Sequence, residues 1–290
     1  MLKCIVDSSA DLSSETVQAL GLVVLPSVIN IDDRNYLDGL DLNVEELYAL
    51  MGTSGHTIKT HHVTPAVYEE AFLPFAQNDD RVICICSASS IAGNYEAARI
   101  GVLSVREKYP DFDITVINSK SASCGYGLIA ERAGELIQKG LDRDAVLEAV
   151  NFYVHHTKHY FIVSMMTYFM KGGKLSHVLG TVSDTFDVHP LFTLDSDGEV
   201  ENLKPIPLKG AHRAADAILD IMKESGIDFS RQTLAFCYGK EKENLEYFTR
   251  KANDMLHPQK ITITSAGCTI AAHTGSGFLG IAYFDAVDPF

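Results

Sequence analysis

The sequence is poor in basic residues. It contains 24 Lys and Arg against 38 Asp and Glu, which gives a formal net charge of −14 over 290 residues. Nucleic-acid binding requires clustered Lys and Arg that neutralise phosphates, and an acidic surface provides the opposite. We therefore expect no nucleic-acid partner. A small anionic ligand inside a pocket remains compatible with this charge, because local donors outweigh the distant field.

Long apolar runs and paired-cysteine motifs are also missing. No apolar run approaches the roughly 18 residues of a membrane-spanning helix, and the start MLKCIVDSS is too short and too quickly polar for a signal peptide. None of the six cysteines has the C-x-x-C spacing of a zinc or thioredoxin site, and we expect Cys84 and Cys86 to lie on opposite faces of a strand. The sequence predicts a cytoplasmic protein with buried, reduced thiols, no metal and no membrane insertion.

Motifs of phosphate transfer and nucleophilic catalysis are absent as well. The sequence contains no G-x-x-x-x-G-K-[ST] loop and no G-x-S-x-G elbow. Gly275-x-Gly277-x-x-Gly280 matches the dinucleotide-binding pattern, but only roughly ten residues follow it, whereas that pattern opens a helix with an acidic residue about 20 positions on. The sequence therefore indicates binding rather than reaction chemistry. The alternative is an enzyme acting on a small anionic substrate with His273 as base.

Strands and helices alternate over the first half of the chain. Apolar runs such as Leu2–Val6 and Arg81–Ser87 predict buried strands of a parallel sheet. After about Tyr160 the pattern changes to hairpins mixed with helices. We predict an α/β fold with two domains, a three-layer α/β domain with a parallel sheet over residues 1–160 and a smaller α+β domain over residues 161–290.

Two segments of the first half carry further predictions. Leu22–Ile31 is predicted to be one strand, with Pro26 at an edge or a bulge. Thr57–Pro65 is predicted to be a polar loop that leads into a helix capped by Thr64, where backbone donors and the positive end of the helix dipole collect. Adjacent histidines at positions 61 and 62 rarely bind one ion, so no metal is expected there.

Three short polar segments attached to apolar elements have a chemistry that suits an anion. They lie around Thr60, around Ser89–Asn94 and around His273. Ala271–Gly280 contains His273 among small residues and glycines and is predicted to join two strands. Glycines permit turns that expose backbone N–H groups, and the imidazole adds a donor. A structural glycine-rich turn, with His273 satisfied by its neighbours, is the equally weighted alternative.

Five segments, in the same order along the chain, resemble motifs of the DegV family of bacterial fatty-acid-binding proteins. They are Val6–Leu12 for TDST-x-DL, Ser87–Tyr95 for ISSxLSGTY, Val116–Lys120 for VIDSK, Lys171–Ser176 for KGGRIS and Ala272–Gly277 for AHTGPG. The resemblance covers nearly the whole chain. It implies an N-terminal α/β domain and a C-terminal α+β domain with one long-chain fatty acid in an apolar tunnel of the latter.

The resemblance also implies where the carboxylate lies. In the family a Thr, a Ser and a His hold it near the domain interface, and these positions correspond here to Thr60, Ala92 and His273. Ala92, in the same turn as Gly93, has no hydroxyl to donate, and we hypothesise that His61, His62 or Ser89 supplies the missing donor. Two basic positions of the family correspond to Lys174 and Lys209.

Family members of this kind present the bound acyl chain to an ATP-binding fatty acid kinase subunit. The resemblance thus implies a non-catalytic carrier without a cofactor, with its surface around the head group and the Lys209–Arg213 region facing the kinase. A lipid-binding sensor without a kinase partner is a further reading that the sequence does not separate from the carrier.

Overall fold

The computed structural model describes residues 1–163, 188–203 and 208–290, and the statements below concern these residues. The sequence also predicts a short helix that carries Met165, Met166, Tyr168 and Phe169, and this segment lies outside the described residues. So does the Lys171–Ser176 motif, which includes Lys174.

The described elements are numbered in chain order. The strands are β1 Leu2–Asp7, β2 Val23–Leu25, β3 Val28–Ile31, β4 Arg34–Leu37, β5 Ile58–His61, β6 Arg81–Cys86, β7 Ile114–Asn118, β8 Thr157–Ile162, β9 Val188–His189, β10 Leu191–Leu194, β11 Val200–Asn202, β12 Leu208–Lys209, β13 Thr233–Tyr238, β14 Lys260–Ser265 and β15 Leu279–Phe284. The α-helices are α1 Ser14–Leu20, α2 Val44–Met51, α3 Pro65–Gln77, α4 Asn94–Arg106, α5 Ser123–Gln138, α6 Arg143–His156, α7 Ala211–Glu224, α8 Lys242–Leu256 and α9 Cys268–Thr274.

The first half of the chain forms a four-stranded parallel sheet with the order β2-β1-β6-β7. Alternate residues of β1 face opposite sides, as the two-residue period of a strand requires. Ile5 packs with α3 and α4, whereas Cys4 and Val6 pack with α5. The sheet is thus covered by helices on both faces, and the predicted α/β fold is confirmed.

The second half of the chain forms a six-stranded mixed sheet with the order β11-β10-β8-β15-β13-β14. Helices α7 and α8 cover one face of it, and the other face shares a hydrophobic core with α5 and the first sheet. The predicted hairpin is confirmed, because β10 and β11 pair antiparallel around the turn at Gly198. Strand β8 belongs to this sheet and crosses residue 160, while the division into two domains stays a prediction.

A small antiparallel sheet with the order β4-β3-β5 packs on α2 and α9. It corrects two predictions. Leu22–Ile31 is not one strand, because Pro26 and Ser27 separate β2 from β3 and the two strands enter different sheets. The segment before Thr64 is not a loop, since residues 58–61 form strand β5, in which Thr60 pairs with Ile29 of β3. Backbone pairing with a distant strand orders this polar segment, and local sequence does not reveal that pairing.

The cysteines are all free and buried. The expectation that Cys84 and Cys86 lie on opposite faces of β6 is wrong: residues two apart on a strand share a face, and their Sγ atoms are 3.8 Å apart. Among the described residues, no helix is long and apolar enough to cross a membrane.

Candidate functional site

A polar cavity of about 750 Å³ lies where the small sheet, the turn after β6 and helix α9 meet. Hydroxyl and imidazole side chains supply much of its wall. The lining includes Ser9, Ser27, Thr60, His62, Ser87 and His273. In a chain with a strong acidic excess, this wall concentrates neutral donors and imidazoles, which suits an anionic group.

Thr60 and His273 meet in this cavity although 213 positions separate them, with Thr60 Oγ1 2.8 Å from His273 Nε2. Thr60 is held by its pairing with Ile29, and His273 lies in the last turn of α9. The prediction that His273 lies in a turn between strands is therefore wrong. The small residues around it form a buried helix, and the glycine-rich stretch begins at Gly275, where φ is 79° and the helix ends.

Two buried carboxylates fix the start of α9. Asp38 accepts hydrogen bonds from the backbone N–H groups of Cys268 at 2.8 Å and Thr269 at 3.1 Å. Asp11 accepts one from Gly267 N at 2.8 Å and another from the Ser123 hydroxyl at 2.6 Å. Burial raises the pKa of Asp11 to about 8, with a smaller contribution from the nearby charge of Asp38. These contacts hold the helix that carries His273.

A third buried carboxylate and a buried amide fix the turn after β6. Asp7 accepts a hydrogen bond from Ser87 N at 3.0 Å, and burial raises the pKa of Asp7 despite this donor. Asn94 accepts from Val63 N at 2.9 Å and donates to Ser87 Oγ at 3.0 Å. Asn94 thus joins the turn to the chain that follows β5. Sequence reasoning did not assign these roles, and the only local signal is that Asp7 directly follows a buried strand.

Ala92 and Gly93 line the cavity as expected from their turn, and His62 lies beside them. The His62 ring contacts Gly93 so closely that a Cβ at this position would lie 2.8 Å from His62 Cε1. His61 also lines the cavity, and both histidines are exposed.

The structure does not bring the other predicted site residues to this wall. Ser89 Oγ accepts a hydrogen bond from Asn118 Nδ2 at 2.7 Å, and Ser89 is not among the residues that line the cavity. Lys209 is exposed on β12 and is not in the lining either. Lys174 lies outside the described residues.

An apolar pocket of about 90 Å³ adjoins the polar cavity. The two share Ile91, Ala122, Ile270 and His273 in their walls. Beyond this boundary the lining is mostly aliphatic and aromatic and comes from the turn between β7 and α5, from α5 itself and from the six-stranded sheet. It includes Cys124, Phe161, Leu194, Val200, Phe278 and Ile281. The combined space is polar at one end and apolar at the other, which matches an amphiphile with an anionic head.

The comparison with protein families identifies the chain. A family model described as "Uncharacterised protein, DegV family" matches residues 1–286. The chain belongs to the DegV family. A curated relative, a DegV domain-containing protein of Caldanaerobacter subterraneus subsp. tengcongensis, is 26% identical over 279 residues, which cover 96% of this chain and 97% of the relative.

Solved structures of DegV proteins share the fold. A stearic acid-binding protein from Eubacterium ventriosum has a TM-score of 0.89 at 23% identity, with 98% of each chain covered. A DegV family protein from Thermus thermophilus, described by its fatty acid binding, has a TM-score of 0.86 at 21% identity, covering 98% of this chain and 99% of its own. The fatty acid kinase B3 protein of Streptococcus pneumoniae, loaded with linoleic acid, has a TM-score of 0.86 at 20% identity, covering 99% of this chain and all of its own.

Proposed function

We propose that this protein binds one long-chain fatty acid, with its carboxylate at Thr60 and His273 and its acyl chain in the apolar pocket. The observation that carries the proposal is the position of His273, which belongs to the walls of both the polar cavity and the apolar pocket. A ligand whose anionic end bonds this imidazole is thereby directed with its other end into apolar surroundings. The similar proteins from Eubacterium ventriosum and Thermus thermophilus, which bind fatty acids, support the same assignment.

The hydrophobic effect favours an acyl chain in this pocket. Each CH₂ that the chain buries contributes about 0.8 kcal/mol before the costs of binding. The carboxylate then requires hydrogen-bond donors rather than a full counter-charge. Thr60 Oγ1 and His273 Nε2 are hydrogen-bonded to each other, so a bound carboxylate replaces this contact and accepts from both groups.

Ser27 is our candidate for the donor that Ala92 lacks. Val28 pairs with His61, so Ser27, the preceding residue, lies across from His62, whose ring contacts Gly93 next to Ala92. Ser27 lines the cavity, is 1% exposed, and its hydroxyl has no partner among the described residues. A rotation about its χ1 brings the hydroxyl toward the carboxylate, whereas Ser89 is already bonded to Asn118.

The size of the polar cavity supports a carrier role. A cavity of about 750 Å³ is larger than a carboxylate needs, which leaves room beside the head group for a phosphoryl donor from a second protein. We propose that an ATP-binding fatty acid kinase subunit is this partner, that exposed Lys209 lies on the surface facing it, and that the chain is itself non-catalytic. We further propose that residues 1–160 and 161–290 form the two domains and that the head group lies near their interface.

Fatty-acid binding by variants at the boundary tests the proposal. With delipidated protein, Thr60→Val and His273→Leu are expected to weaken the binding of octadecanoic acid by about tenfold to a hundredfold, because each removes a hydrogen bond to a charged group. His155→Ala, at an exposed histidine of α6 that lines neither the cavity nor the pocket, is the matched control and is expected to bind like the wild type. Equal affinities in all four proteins would contradict the placement of the carboxylate.

A further inference from the structure

His159 and His273 are the two imidazoles among the described residues that line the apolar pocket, and His159 is buried. It lies on β8 and is 6% exposed. Burial lowers the pKa of His159 to about 3, with a smaller contribution from the charge of Lys158, so the ring is neutral at physiological pH. A neutral imidazole has one donor nitrogen and one acceptor nitrogen.

Ser121, just before α5, and Gly125, in its first turn, contact the Nε2 side of this ring. His159 Nε2 lies 2.7 Å from Ser121 Oγ, and a Cβ on Gly125 would lie 2.0 Å from the same nitrogen. No side chain larger than hydrogen therefore fits at Gly125 while the ring keeps this position. The imidazole is thus held by a hydrogen bond and by a matching gap in the helix surface.

Either atom of the Ser121–His159 hydrogen bond can be the donor, and we assign the Ser121 hydroxyl as the donor. If the Ser121 hydroxyl donates to Nε2, this nitrogen is the acceptor and carries no proton. The single proton of the neutral ring then lies on Nδ1. Nδ1 is buried and has no partner among the described residues. The pocket therefore contains a donor that lacks an acceptor, a situation that native proteins correct with a ligand or an ordered water.

We propose that the acyl chain bound here carries an oxygen, a hydroxyl or keto group along its length, that accepts a hydrogen bond from His159 Nδ1. The inference rests on the proposed function and narrows its ligand class. A plain acyl chain offers Nδ1–H no acceptor, so the donor stays unpaired in such a complex. A chain that carries an oxygen at this depth supplies the missing acceptor.

The test is a competition between octadecanoic acid and positional isomers of hydroxyoctadecanoic acid for delipidated full-length protein, read by native mass spectrometry. We expect at least one isomer to be preferred over octadecanoic acid by about tenfold. In His159→Leu, which replaces the imidazole with an apolar side chain of similar size, this preference is expected to disappear. Phe161→Leu changes the same pocket without changing a polar group, and it is expected to retain the preference.

Imidazole ¹⁵N resonances of the wild type supply a readout that does not depend on the folding of a variant. The Nδ1 resonance of His159 is expected to shift with the preferred hydroxy acid relative to octadecanoic acid. An unchanged Nδ1 resonance, or the same preference in the wild type and His159→Leu, overturns the inference and leaves the proposed function standing. Failure of every fatty acid to bind overturns both.

Discussion

At the polar cavity each buried carboxylate has several hydrogen-bond donors, whereas in the apolar pocket the buried imidazole of His159 has a partner for one nitrogen only. Asp38 accepts from the backbone of Cys268 and Thr269 and from the hydroxyls of Thr269 and Ser8. The carboxylates near the polar cavity are thus satisfied by the protein's own groups, while the buried Ser27 hydroxyl in its wall has no partner among the described residues. The apolar pocket leaves one donor, His159 Nδ1, for the ligand. The buried carboxylates therefore stabilise the fold, whereas His159 selects the lipid.

Removing the Asp38 carboxylate, which holds the start of α9 beside the polar cavity, is expected to have the largest effect on the free energy of unfolding. Asp38→Ala leaves two backbone N–H groups at the start of α9 without their acceptor. We expect the free energy of unfolding to fall by about 3 kcal/mol, measured by urea denaturation. Asp254→Ala, at an exposed position of α8, is the control and is expected to change it by less than about 0.5 kcal/mol. A loss in Asp38→Ala as small as in this control would contradict the role of Asp38.

The titration of Asp11 tests the second carboxyl group at the start of α9. Its folded pKa of about 8 lies above its unfolded value of about 4, so its stabilising contribution is full below pH 4 and is lost as the pH rises toward 8. Asp11→Asn imitates the protonated carboxyl. Between pH 5 and 7 the wild type is expected to lose about 1.4 kcal/mol per pH unit relative to Asp11→Asn in urea denaturation. Parallel pH profiles of the two proteins would show that Asp11 is ionised when folded.

The titration of His159 tests the apolar pocket, and here the stability falls as the pH falls, which is opposite to the trend for Asp11. Its folded pKa of about 3 lies below its unfolded value of about 6.5, so its contribution is full at neutral pH and is lost as the pH falls below 6.5. From pH 6 to 5 the wild type is expected to lose about 1 kcal/mol relative to His159→Leu, measured by urea denaturation. If the difference between the two proteins stays constant over this range, the ring is not held neutral in the fold.

The smallest expected effect is at the turn between the two ends. In Gly93→Ala the new methyl group meets the His62 ring, which is exposed and can move aside. We therefore expect octadecanoic acid to bind about threefold more weakly, with the unfolding free energy nearly unchanged, in a displacement assay. A loss as large as that of His273→Leu would mean that His62 is a principal contact of the carboxylate.

The sequence predicts the local structure of this protein well where hydrophobic pattern and helix caps agree. Thr64 caps α3 as expected, with its side chain accepting from Val67 N, and the sequence Asn43-Val44-Glu45-Glu46 has the pattern of the capping box that Asn43 and Glu46 form at the start of α2. The strands Arg81–Cys86 and Thr233–Tyr238 follow the apolar runs. In each case the determining contacts lie within a few residues of one another.

The sequence fails where the determining contacts are distant. Asp11 reaches Gly267 across 256 positions and Asp38 reaches Cys268 across 230, so nothing local shows that these acids hold the helix of His273. Thr60 and His273 were predicted from the family resemblance, and the structure places them in hydrogen-bonding contact. Ser27 and His159 have no sequence signal, because what distinguishes each is a buried polar atom without a partner among the described residues.

Native mass spectrometry of the purified protein, followed by denaturing extraction of whatever it retains, shows whether the chain carries a lipid and which one. We expect one fatty acid per chain, released on denaturation, with an oxygen substituent along its length. Protein that is empty as purified and does not take up octadecanoic or hydroxyoctadecanoic acid would contradict this expectation.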